Sequence, residues 1–198
     1  RRAQEFVPVK VNTEGSRREI QVSAKYGVRS LPTILFLSPH GRQLFRVNGF
    51  QGPGQFPRTL DVARQVAGRV IAWETALEAD PGDAAAALSL GRHLYEQEYY
   101  EEAQGLLRTA VAHDAGASVG GRREARMLLA ILAHVTRDFG EAERLVKEAL
   151  KLGPGPEEQP RLLFVLGRTY VSWGRQEEGV ATFEVIVRQF PQSPMAQK

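Results

Sequence analysis

The strongest constraint on how this chain folds is a recurrence in its second half. Leu90-Gly91, Leu129-Ala130 and Leu166-Gly167 each set a large apolar residue before a small one. Further anchors follow at matching places: Ala103 and Ala110, then Ala142, Ala149 and Pro154, then Tyr170, Phe183 and Pro191. Apolar residues between the anchors fall at helical spacing, which predicts helix pairs over 84–98 with 100–113, 122–136 with 139–152, and 157–173 with 176–190. Small residues are required where the helices of a pair approach closely, and large ones fill the gaps between pairs. One such pair cannot bury its own apolar face, so the units must stack.

This pattern of small, large and proline positions resembles tetratricopeptide repeats. Gly179 stands where that family prefers Ala, and Leu94 and Ala133 stand where it prefers an aromatic residue. Inter-repeat insertions are expected at 116–121 and 153–158, spacing the units wider than the family's usual period. The stretch Trp73 to Pro81 reads as a half repeat ahead of the first pair, and the ending Phe190-Pro191-Gln192-Ser193-Pro194 suggests a further unit lost by truncation. The resemblance implies a concave face built from the first helix of each pair. Counted from the anchors, that face carries Leu88, Arg92 and Tyr95, then Met127, Ile131 and His134, then Arg161, Phe164 and Arg168. Aromatic, apolar and arginine residues together suit an extended or helical peptide ligand with acidic groups, because arginine pairs carboxylates bidentately. The Lys and Asn positions that some members use to clamp a C-terminal carboxylate are not evident.

The first part of the chain reads differently. Phe6 to Val11 has strand composition, with Pro8 suited to an edge or a strand start. Ser16 and Glu19 fit a capping box for a helix over 17–26 that stops at Gly27. Thr33 to Leu37 reads as a fully buried strand, 38–41 as a turn, and 43–47 as its hairpin partner. A helix follows Gly52-Pro53-Gly54, with Pro57 in its first turn, and runs to Ala79-Asp80-Pro81-Gly82. The order of elements and the run Y-G-V-R-S-L-P-T at 26–33 resemble a thioredoxin-like domain from its third strand onward. The resemblance implies that Pro32 takes the cis form, that Leu31 offers its backbone to an extended peptide, and that Gly49 lies near the same groove. The fold class expected is therefore α/β plus all-α: a partial thioredoxin-like domain over 1–67, then repeats over 68–198. The boundary is soft, near Gly68, with no flexible linker, and the two parts are expected to pack rigidly. Without its first strands the sheet is expected to show an unpaired edge, which invites aggregation or a borrowed strand.

The redox pair of the thioredoxin family, Cys-x-x-Cys, has no counterpart, since the chain contains no cysteine. Thiol–disulfide exchange needs a thiolate, so the expected function is protein–protein interaction, with no catalytic residue and no cofactor. The alternative is that the chain is a piece of a thiol–disulfide oxidoreductase whose Cys-x-x-Cys lies upstream of Arg1. The chain opens on Arg1-Arg2-Ala3-Gln4-Glu5, with neither an initiator methionine nor the apolar core of a signal peptide. It therefore reads as a fragment or a processed product, which leaves the compartment open. A net charge of +3 spread among interleaved glutamates gives no basic stripe for nucleic acid. No apolar run approaches membrane-spanning length. His40, His93, His113 and His134 are scattered without zinc-ligand spacing, so no metal is expected. The oligomeric state is not set by the sequence.

Overall fold

A computed structural model describes residues 6–197. The opening Arg1 to Glu5, read above for its lack of a leader, lies outside the described residues. Two compact units divide the chain, the first ending at Ala72 and the second beginning at Trp73.

In the first unit, α1 (Arg17–Lys25) is started by the expected box: the Ser16 hydroxyl accepts from the Glu19 N–H, and the Glu19 carboxylate accepts from the Ser16 N–H at 2.9 Å. Gly27 ends it in the left-handed region at φ +56°. Strands β1 (Thr33–Leu37) and β2 (Gln43–Asn48) pair antiparallel, Thr33 opposite Asn48 and Phe36 opposite Phe45, with an irregularity between Phe36 and Leu37. The hairpin is tied to α1 by Tyr26, whose hydroxyl donates to the Gly41 carbonyl at 2.8 Å. Arg46 reinforces this by donating to the carbonyls of Tyr26 and Gly27. The helix α2 (Phe56–Ala79) runs unbroken through Gly68 and spans the division between the units.

Two expectations for this unit need correction. Phe6 to Val11 forms no strand: the sheet holds only β1 and β2 among the described residues, so this segment has no ladder to join, and Val7 and Val9 stand exposed. Nor is β1 fully buried. Phe36 alone is buried there, between the rings of Phe6 and Phe45, while Leu37 is exposed. A strand with one neighbour has too little around it to cover both faces.

The second unit is built from α3 (Ala84–Glu96), α4 (Tyr100–Ala112), α5 (Val119–Val135), α6 (Phe139–Lys151), α7 (Gln159–Ser172) and α8 (Gln176–Gln189). They pack as pairs α3 with α4, α5 with α6 and α7 with α8. The second helix of one pair lies on the first helix of the next, and the first helices α3, α5 and α7 also touch in sequence. The small anchors sit where the pairing reading puts them. A Cβ on Gly91 would lie 3.1 Å from Leu107, and one on Gly167 would lie 2.6 Å from the Phe183 ring. Gly179 departs from alanine for the same reason, since a methyl there would stand 2.6 Å from Val171. A continuous core of Ala87, Leu107, Leu129, Leu145, Val146, Leu162 and Tyr170 runs through the stack. The expected loop over 116–121 is shorter than read: α5 starts at Val119, because the Ser118 hydroxyl caps it by accepting from the Gly121 N–H at 3.1 Å.

Candidate interaction surface

The nine side chains assigned to the concave face occupy α3, α5 and α7, but they differ in what they leave free. Leu88 is buried at 8% exposure and belongs to the core, a correction to its reading as a groove residue. The added first turn of α5 covers it: Gly121 lies so close that a Cβ there would be 3.1 Å from Leu88. Arg92 is bonded across to α5, its Nη1 donating to Glu124 Oε1 at 3.0 Å. Tyr95 is half-buried against the core and against Tyr100, and burial raises its phenol above the usual range.

On α5, Met127 and Ile131 are half-buried, Met127 lying against the core. His134 places its Nδ1 3.3 Å from the Thr169 hydroxyl and its ring edge-on to Phe139. Burial and the nearby positive charge of Arg168 hold its imidazole below the usual value. On α7, Phe164 packs its ring on Phe183 of α8. Arg161 and Arg168 are exposed, and neither bonds a carboxylate among the described residues.

Sequence reasoning missed Glu124, although its spacing three residues before Met127 on the same helical stripe was a usable signal. It also missed a charged and aromatic lock between the second and third helix pairs. Glu143 on α6 accepts from the Tyr170 hydroxyl at 2.8 Å, from Lys147 at 2.6 Å and from Arg175 at 2.9 Å. Burial alone would raise its carboxyl, but these donors overcome that and bring it to about 2. Arg175 also lies over the rings of Tyr170 and Trp173. Tyr170 was legible as a packing anchor; its hydroxyl's partner, on the preceding helix and 27 residues back in the chain, was not.

In the first unit the three residues read from the thioredoxin resemblance come together. The Leu31–Pro32 bond is cis, and the Gly49 N–H donates to the Pro32 carbonyl at 2.8 Å. Leu31 is 67% exposed beside them. Among the described residues no helix is long and apolar enough to cross a membrane, and no three His, Cys, Asp or Glu residues group to hold a metal.

Comparison with known proteins agrees with this division. A thioredoxin-like domain model matches residues 2–64, and a tetratricopeptide repeat model matches 72–118, 90–157 and 127–194. No curated protein matches the chain. Among solved structures, the crystal structure of MamA is similar, with a TM-score of 0.55 and 20% identity, over 72% of this chain and 77% of that one. At that identity the likeness speaks for the fold alone. With its repeats matched over most of its length behind a thioredoxin-like domain, the chain belongs to the tetratricopeptide-repeat family and is a protein-interaction module.

Proposed function

We propose that the row formed by α3, α5 and α7 is the ligand-binding face, and that its ligand is a protein segment carrying acidic groups. The observation that supports this is the composition of the row beyond Leu88. Half-buried Met127 and Ile131 offer apolar contact, and exposed Arg161 and Arg168 flank it without carboxylate partners among the described residues. Arginine over an apolar floor favours a carboxylate-bearing amphipathic segment, since part of the ligand's apolar surface is buried while its charges are paired. Leu31, with Pro32 and Gly49, is proposed as a second, smaller contact point in the thioredoxin-like part, on the strength of its exposure.

Calorimetry with a glutamate-rich amphipathic peptide tests the reading. Replacing Arg161 and Arg168 together by glutamate is expected to weaken binding by about 1–3 kcal/mol. Equal affinity for the variant and the parent chain would place the ligand elsewhere.

A further inference from the structure

We infer that Arg161 and Arg168 act as a paired anchor that selects ligands by the distance between two carboxylates. This rests on the groove reading above and sharpens it. The two arginines are seven residues apart on α7, close to two full turns, so they lie on one face about 10 Å apart along the axis. Both are exposed and neither bonds a carboxylate among the described residues. At the other end of the row the position is reversed. Arg92 is already matched by Glu124 at 3.0 Å, so that end has little unmet demand for an anion. The groove is therefore polarised, with its open positive charge on α7 and its apolar floor at Met127 and Ile131. His134 on α5 lies near this end of the row, and after burial the charge of Arg168 is the second cause that opposes protonation of its imidazole.

The ligand class that fits is a segment with two carboxylates about 10 Å apart. On a helical ligand these are seven residues apart, on one face. Single acidic residues, or pairs one helical turn apart, would engage only one arginine.

The test uses the full chain and three capped, helix-forming peptides of equal length with the same apolar face. The first carries glutamates seven residues apart, the second carries them four apart, and the third carries glutamine at both places of the first. Arg161 and Arg168 are expected to bind the first peptide at least tenfold more tightly than the other two. Replacing both arginines by glutamine (R161Q with R168Q) should reduce all three to the level of the third, with circular dichroism unchanged. Imidazole NMR gives a readout that folding defects would not mimic. Binding of the first peptide should raise the His134 titration midpoint in the parent chain and leave it unmoved in the double variant. If the three peptides bind equally and Ile131→Glu abolishes all of them, the groove stands and the paired anchor is wrong. If no peptide binds, or Ile131→Glu changes nothing, the groove reading fails and takes the anchor with it.

Discussion

Glu143 shows how one residue joins two repeats. It is only 16% exposed and accepts three hydrogen bonds from cationic or phenolic donors, two of them from the next repeat, which keeps its carboxyl at about 2. In the unfolded chain a glutamate titrates at about 4.3. Because the folded value is the lower one, its contribution to stability is complete above the unfolded value and is lost as pH falls from about 4.3 toward 2. Glu143→Gln is therefore expected to lower stability at pH 7 by about 1–3 kcal/mol and to flatten the acid limb. Denaturant titrations at pH 7 and pH 3 should show the gap between variant and parent closing; a gap of constant size would rule out the charge as the cause. Glycines give a second contrast at this scale. Gly167→Ala must push into the Phe183 ring and should cost about 1–3 kcal/mol. Gly105→Ala, in α4 with open space around it, should instead gain about 0.5–1 kcal/mol. Equal shifts in thermal midpoint for the two would contradict the packing account.

Within the elements, the three turns inside the helix pairs share one backbone device. Glu98, Arg137 and Gly174 all take positive φ, at 65°, 63° and 85°. Behind each, the next N–H returns to a carbonyl five residues earlier: Tyr99 to Leu94, Asp138 to Ala133, and Arg175 to Tyr170. This wraps the helix end and satisfies its last carbonyls. Only the third pair, with Gly174, uses the residue that tolerates the left-handed region without steric cost. Glu98→Gly and Arg137→Gly are each expected to raise stability, by up to about 1 kcal/mol. Midpoints that fall by a similar amount would mean that the side chains contribute more than the strain costs. The helices themselves were legible: periodicity and caps placed all six of the second unit within a few residues. The early start of α5 was not, because two glycines in its first turn read as a loop until Ser118 and Leu88 gave them a cap and a packing partner.

For the whole molecule, the absence of cysteine sets a firm expectation. The pure chain should show no turnover in insulin or small-disulfide reduction assays, since no thiolate is available to attack; sustained turnover by homogeneous protein would overturn this. The hairpin leaves the far edge of β1 unpaired among the described residues. Open strand edges are in general templates for strand addition, and Leu31 and Phe50 are exposed near this one in sequence.

What the sequence determined by itself was whatever local chemistry controls: helix pairs from periodicity, the α1 start from Ser16 and Glu19, and close approach from the small anchors. It also carried the family resemblances, because those positions recur at fixed spacing along the chain. The tertiary structure alone decided which assigned residues remain available. Leu88 is covered by α5, Arg92 is bonded to Glu124, and Arg161 and Arg168 stay open. It likewise decided that Phe6 to Val11 is no strand, since a strand exists only by hydrogen bonding to a neighbour. Helical propensity is written within one turn of chain, whereas burial, ion pairing and sheet membership depend on residues brought together from far apart.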